Sequence, residues 1–268
     1  MTQPQANSGF MERVTPLVLT CNEAANIGRT LGQLTSFPNV LVLDSFSNDE
    51  TVAIARSYPN VRLAQRAFDT HAAQWNFAVD SADTPWVLTL DADYQLSAPL
   101  LESIKNLTPP DGTKVFFARF QMCIHGRVLR SSVYPPRPVL FHRDSARYYD
   151  DGHTQRLRYR GTCETLPGII YHDDRKPLSR WVSDQDRYAK IEAIHLLARP
   201  NKQLNFQDRL RRRLFFAPPI IFLYLLIGRG LIFDGWPGWF YVLQRTVAET
   251  LLSLRLIVQR NSLEKNGK

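Results

Sequence analysis

A chain of 268 residues with 44% hydrophobic and 22% charged residues has room for one large α/β domain plus an appendage, and is too apolar for whole-chain disorder. Its formal net charge of +8 points to nucleic acid, an anionic lipid surface or phosphorylated substrates as partners. Cys21, Cys123 and Cys163 are scattered and lack any CxxC spacing, which argues against a disulfide framework or a zinc site and for reduced, cytosol-facing thiols.

The opening MTQPQANSGFMERV has no basic start followed by an apolar run, so no signal peptide is read there, and residues 1–12 are expected to be a flexible leader. Val14 to Thr20 reads as a buried strand, and Asn22 as the cap of a helix through Leu34 with Ile27, Leu31 and Leu34 on one face. Asn39 to Leu43 is a second apolar strand stopping at Asp44. A short helix over Glu50 to Tyr58, a third strand over Asn60 to Ala64 and a helix over His71 to Ser81 follow. Trp86 to Leu90 is a fourth strand that runs straight into Asp91. Short, apolar, non-alternating strands separated by helices predict a parallel sheet covered on both faces. From Lys114 the pattern becomes mixed, with strands expected at Val115 to Gln121, Pro138 to Phe141 and Gly168 to Tyr171, and a long helix over Leu178 to Leu197.

The last third carries a basic cluster (Arg199, Lys202, Arg209, Arg211, Arg212, Arg213) beside an apolar run, Leu214 to Ile227, that is too short to span a bilayer. After Trp236-Pro237-Gly238, Trp239 to Ile257 reads as an amphipathic helix with Trp239, Leu243, Val247, Leu251 and Leu254 on one face. Residues 199–268 are therefore expected to be a membrane-associating tail following a domain over 13–198; a helical hairpin that buries the same faces is the alternative.

In such sheets ligands bind beyond the carboxyl ends of the strands. Three strand ends are polar: Thr20-Cys21-Asn22-Glu23, Asp44-Ser45-Phe46-Ser47 and Asp91-Ala92-Asp93. Two carboxylates one residue apart at a strand end suit a hard divalent cation that also holds substrate phosphate oxygens, although acidic pairs at strand ends also cap and solvate. Neither GxGxxG nor GxxxxGK[ST] occurs, which weakens the dinucleotide and P-loop readings.

These stretches, together with Gln74-Trp75-Asn76-Phe77-Ala78 and Asp234-Gly235-Trp236-Pro237-Gly238, resemble the family 2 inverting glycosyltransferases, especially the bacterial group containing lipopolysaccharide-core glucosyltransferases. The resemblance is strong over residues 14–95 and looser over 114–260. It implies the GT-A fold, an α/β mixed sheet with helices on both faces, here with C-terminal amphipathic helices added. By the same resemblance Asp44 hydrogen-bonds the donor base, which suggests a UDP-sugar, and Glu23 lies near the ribose and base. Asp91 sits near the ribose and metal, and Asp93 coordinates Mg²⁺ or Mn²⁺. Thr20 and Asn22 belong to the donor site, Gln74 and Asn76 orient the donor or cap and pack their helix, and Arg137 contacts phosphate or acceptor. His172 is a further metal or diphosphate ligand or a structural histidine. Relatives often place a carboxylate after the His of a short motif; here Thr154 follows His153, so Asp151 is the first candidate for the base, Asp150 the second and Glu164 the third, with an acidic turn before Gly152 as the alternative. The implied acceptor is a lipid-linked or cell-envelope glycan at the cytoplasmic side of a bacterial inner membrane, where the protein is peripheral. The competing readings are an inactive relative acting as a membrane-surface scaffold and a nucleic-acid binder; no nucleic-acid-binding motif supports the latter.

Overall fold

The computed structural model describes residues 9–152 and 154–266, so the leader residues 1–8 and His153 lie outside it. The chain folds as two compact units, one of Met1–Cys123, Val133–Asp150 and Gln155–Arg175, the other of Ile124–Ser132, Asp151–Thr154 and Lys176–Lys268.

The first unit begins with a 3₁₀ turn, Phe10–Arg13, in which Phe10 and Met11 are buried, so packed chain starts inside the stretch expected to be a leader. Strands β1 (Val14–Thr20), β2 (Val40–Asp44), β3 (Val61–Gln65) and β4 (Trp86–Asp91) form the parallel half of a mixed sheet, interleaved with helices α1 (Ile27–Gly32), α2 (Thr51–Arg56) and α3 (His71–Asp80). Then come β5 (Tyr94–Leu96), α4 (Ala98–Lys105) and β6 (Thr113–Ile124), the short β7 (Arg127–Val128) in the other unit, and β8 (Arg137–His142). A two-stranded sheet of β9 (Ala146–Asp151) and β10 (Thr154–Tyr159) precedes the long β11 (Thr162–His172). The main sheet has the order β3-β2-β1-β4-β8-β6-β11-β5. β8 is antiparallel to both β4 and β6, β11 is parallel to β6, and β5 is antiparallel to β11.

Strand side chains alternate between two cores. Val40, Val42, Leu88 and Leu90 pack with Ile27, Leu31, Leu100 and Ile104 of α1 and α4. Leu41, Leu43 and Val87 pack with Trp75, Ala78 and Val79 of α3. Burial on both faces is why these strands read as continuous apolar runs. β5, three residues long, is too short to carry a periodic signal, whereas α4 buries Leu100 and Ile104 four residues apart. Gly168, at φ +94°, sits at a register shift in β11, and a Cβ there would lie 2.5 Å from the backbone nitrogen of Leu100.

The second unit is mainly helical: α5 (Leu178–Ala198), α6 (Phe206–Arg211), α7 (Ala217–Leu223) and α8 (Trp236–Asn266). The long helix α5 thus groups with the tail, not with the sheet domain expected to run to residue 198. Ala189, Ala193 and Leu196 of α5 pack on Leu252 and Leu256 of α8. Pro218 and Pro219 lie in the first turn of α7, where a missing N–H costs no helical hydrogen bond. In the turn before α8, Asp234 accepts from the Nε and backbone N–H of Arg130 at 2.7 and 3.0 Å. Gly238 packs so closely that a Cβ would meet the Leu231 carbonyl oxygen at 2.0 Å.

Most of the apolar stripe expected on the last helix points outward. Trp239, Leu243, Val247 and Leu254 are exposed, whereas a second set, Tyr241, Val242, Leu252 and Leu256, fills the interior. Trp236 and Val258 extend the outer stripe, and Phe215, Phe233 and Ile227 are 74%, 75% and 67% exposed. Leu251 of the same expected stripe is half-buried against the α5–α8 core, so the helical-hairpin alternative holds for that part of the face only. No helix among the described residues is long and apolar enough to cross a membrane.

Candidate functional site

The parallel register sets the site. Thr20 pairs with Asp44 and Leu19 with Asp91, so the carboxyl ends of β2, β1 and β4 bring Asp44, Thr20 and Asp91 to one edge of the sheet. Here the strand order reverses about β1, the position where open α/β sheets bind ligands.

Asp44 is wholly buried. Its carboxylate accepts from the backbone N–H and hydroxyl of Ser47 and from Gln65 Nε2, the N–H at 2.9 Å and the amide at 3.0 Å. A carboxylate has about four acceptor positions, so these three donors leave room for one more. Asn22 does not cap α1, which starts at Ile27. It takes a left-handed φ of +57° and joins the loop after β1 to the loop after β2: its N–H donates to Ser47 Oγ (2.7 Å) and its Oδ1 accepts from the Asn48 N–H (2.8 Å). Asparagine tolerates this conformation better than other non-glycine residues, so the residue type suited to a cap serves a turn instead. The N–H groups of Glu23 and Ala24 reach Thr51 Oγ1 (2.7 Å) and Asp49 Oδ2 (3.2 Å).

Asn26 holds the Glu23 side chain. It is 1% exposed, and its Nδ2 donates to Glu23 Oε2 (2.8 Å) and Asp174 Oδ1 (3.0 Å), while its Oδ1 accepts from Arg29 (2.6 Å) and the Arg175 N–H (2.9 Å). Arg29 and Arg175 both also grip the buried Asp173 carboxylate. None of Asn26, Arg29, Asp173 or Asp174 was singled out from the sequence; the pair Asp173-Asp174 directly after a strand ending in His172 was the available signal.

Asp93 and His172 meet because β5 pairs antiparallel with β11, setting Tyr94 opposite His172. His172 Nε2 lies 3.1 Å from Asp93 Oδ2. Burial acts against charge on this imidazole, but the neighbouring Asp93 carboxylate outweighs it and raises its pKa above the ordinary value. Burial and then the charge of Asp93 push the Asp91 carboxyl upward, against a hydrogen bond from Tyr94 and the nearby charge of Arg137. The Arg137 guanidinium stacks 4.7 Å from the Tyr134 ring centre, and that ring packs edge-on against His172 at 5.3 Å. Tyr94 and Tyr134 are therefore site residues that sequence reasoning missed.

Among the described residues no group of three or more His, Cys, Asp or Glu is arranged to hold a metal ion. Asp93 and His172 nevertheless offer an oxygen and a nitrogen side by side, and His172 Nδ1 and Thr20 Oγ1 are buried with no hydrogen-bond partner. Two protein donors fit an ion such as Mg²⁺, which takes its other ligands from phosphate and water.

The remaining candidates are placed differently. Gln74 is buried and tied to Ser45 Oγ (2.9 Å), the Arg66 carbonyl (3.1 Å) and the Arg66 guanidinium. Asn76 spends both ends of its amide on the backbone of Tyr148, at 3.0 Å each, a packing role between α3 and β9. Asp150 accepts from the Ala72 N–H (3.0 Å) in the first turn of α3. Asp151 belongs to the other unit, where it accepts from Arg199 (2.9 Å) and faces His195 at 3.7 Å. Glu164 is exposed on β11.

Comparison with known proteins agrees with this picture. Residues 17–164 match the model for glycosyl transferase family 2. The lipopolysaccharide core biosynthesis glycosyltransferase LpsC of Rhizobium meliloti is 24% identical over 261 residues, 94% of each chain. The Rickettsia prowazekii glycosyltransferase RP128 is 30% identical over 217 residues, 74% of this chain and 72% of its own. Among solved structures, S. aureus TarS 1-349 in complex with UDP-GlcNAc superposes with a TM-score of 0.47 at 14% identity, covering 93% of this chain and 92% of that one. With a family match spanning more than half its length and a strand-end site on a mixed GT-A sheet, this chain belongs to glycosyl transferase family 2.

Proposed function

We propose that this glycosyltransferase moves a sugar, with inversion, from a UDP-sugar to a lipid-linked or cell-envelope glycan acceptor, using Mg²⁺ or Mn²⁺ and working peripherally at the cytoplasmic face of a bacterial inner membrane. The observation that carries the donor half is the convergence of Asp44, Thr20 and Asp91 at one sheet edge, with Asp93 and His172 paired in the same unit.

In this reading Asp44 uses its remaining acceptor position for an N–H of the donor base. Glu23, steadied by Asn26, hydrogen-bonds the ribose or base. Asp93 and His172 would hold the divalent ion with Asp91 close by, and the ion when bound would offset the negative charge that develops on the departing diphosphate. Arg137 adds positive charge on the same side without a proton to lose. For the base that takes the proton of the acceptor hydroxyl, Asp151 is the first candidate and Asp150 the second; the bond of Asp150 to the α3 backbone favours a positioning role for Asp150. Membrane association is supported by the outward stripe of α8, the exposed side chains around α7 and the basic cluster beside them.

The test is titration of purified protein with UDP-glucose, other nucleotide-sugars and UDP, with and without Mn²⁺. Mn²⁺-dependent binding of a UDP-sugar, lost in Asp93→Asn, is expected. Folded protein that binds no nucleotide overturns the donor reading, and equal binding without metal overturns the metal role.

A further inference from the structure

In the helical unit, Lys202, Arg209, Arg212, Arg213 and Arg260 line one open basin of ≈ 620 Å³. Among the described side chains no carboxylate lines it; the other lining residues are Leu197 and Asn201. Arg211, in the middle of the same run, is committed elsewhere, to Glu249 at 2.7 Å and Asp208 at 3.6 Å. No ion pair engages any of the five basin cations among the described residues. Among the described side chains the acids of this region therefore balance Arg211 and leave the basin uncompensated, an arrangement that costs self-repulsion unless an anion fills it.

The five cations are of two kinds. Arg212 is fixed: its guanidinium donates to the Arg199 carbonyl (3.2 Å) and Asn201 Oδ1 (2.6 Å), satisfying the end of α5. Arg260 is fixed on the Arg212 carbonyl at 2.6 Å. Lys202, Arg209 and Arg213 are exposed and free to close on a ligand. A floor of anchored guanidiniums beside exposed cations suits a dianion with several oxygens, since guanidinium forks bind phosphate in pairs. Phe206, which opens α6, and Phe215 and Phe216, which follow it, are exposed, so the same segment offers an apolar surface beside the charge.

We propose that this basin is a phosphate-binding site for a phosphomonoester carried on an amphiphile, that is, a phosphorylated lipid headgroup. The phosphate site stands independently of the transfer reaction; its lipid source rests on the membrane reading above.

The experiment uses the full chain and phosphatidylcholine vesicles doped either with phosphatidic acid or with enough phosphatidylglycerol to reach the same surface potential. Phosphatidic acid vesicles are expected to bind about tenfold more tightly, because the monoester carries nearly a second charge and a third free oxygen. Lys202→Gln/Arg209→Gln/Arg213→Gln, which removes only exposed cations, should bring that ratio to about one. Inorganic phosphate should raise the melting temperature of the parent protein but not of this variant, against chloride at equal ionic strength. Equal binding to both vesicle types in the parent protein, with no phosphate-specific stabilisation, overturns the site and leaves only diffuse charge. Phosphate stabilisation that requires the three cations, without binding to any vesicle, upholds the phosphate site with a soluble source and sinks only the membrane reading. Phe215→Ser/Phe216→Ser should weaken binding to all vesicles while keeping the phosphate response.

Discussion

Replacing Asn26 by aspartate leaves the side-chain volume almost unchanged but turns a donor of two hydrogen bonds into an anion between two carboxylates. In the protein the Asn26 amide nitrogen lies 2.8 Å from Glu23 Oε2 and 3.0 Å from Asp174 Oδ1. At that separation each carboxylate–carboxylate approach is worth about 5 kcal/mol at an effective permittivity of about 20. The closer contact of a full charge with Arg29 recovers part of this. The cost is capped, because one of the three carboxyls can instead hold a proton: from an ordinary pKa of about 4, that costs about 4 kcal/mol at pH 7 and about 1.4 at pH 5. A carboxyl with a raised pKa in the folded state contributes stability below its unfolded pKa and loses it as pH rises. The deficit of Asn26→Asp relative to the parent should therefore grow by about 1.4 kcal/mol per pH unit between about pH 5 and 7. Asn26→Ala, which loses the same hydrogen bonds without adding charge, should show a loss of about 2–4 kcal/mol with no added slope. Urea unfolding of the three proteins at pH 5, 6 and 7 measures this. If Asn26→Asp stays within about 1 kcal/mol of the parent at pH 7, the network joining Glu23 to the end of β11 is not as described.

Three further expectations concern other parts of the chain. Gly168→Ala forces a side chain into a left-handed conformation and against the backbone of Leu100, and should cost about 3 kcal/mol or more, read as a drop in urea midpoint; a change below about 1 kcal/mol would mean that β11 and α4 are not packed this closely. Burial pushes the Cys123 thiol up to about 11, so at pH 8 iodoacetamide should modify the exposed Cys21 and Cys163 readily and Cys123 at least about 100-fold more slowly, as resolved by mass spectrometry; comparable rates at all three would contradict its burial. Glu249→Gln leaves the Arg211 charge poorly matched in a mostly buried position and should destabilise by about 2–4 kcal/mol, with no loss of UDP-sugar binding; a neutral outcome would show that this pair contributes nothing to the helical unit.

The strand-end cluster was legible in the sequence because its strands are buried on both faces and stop at carboxylates: Asp44 and Asp91 follow directly from the apolar runs before them. The Asp93–His172 pair was legible as two residues but not as a contact, since the strand that joins them, β5, is too short to show a period. Asn22 was misread because one side chain serves both helix caps and left-handed turns, and only the partner loop, through Ser47 and Asn48, decides between them. The last helix posed a different difficulty. It has two apolar faces, and periodicity alone does not say which one the fold buries; packing against α5 chose Leu252 and Leu256 and left Leu243 and Val247 outside. The network of Asn26, Arg29 and Asp173 joins residues about 150 positions apart, and no local pattern encodes such a meeting.

The stitching between the loops after β1 and β2 has a consequence for how this enzyme can diverge. Asn22 meets Ser47 and Asn48, Glu23 meets Thr51, and Ala24 meets Asp49, so each residue of one loop is held by a specific residue of the other. A substitution at Ser47 or Thr51 orphans an amide on the opposite loop, and a matching change there is needed to restore it. The two loops therefore drift as one inherited block, under tighter constraint than their surface position suggests. Variation in descendants should appear there as paired exchanges, while the exposed stretches outside the block change one residue at a time.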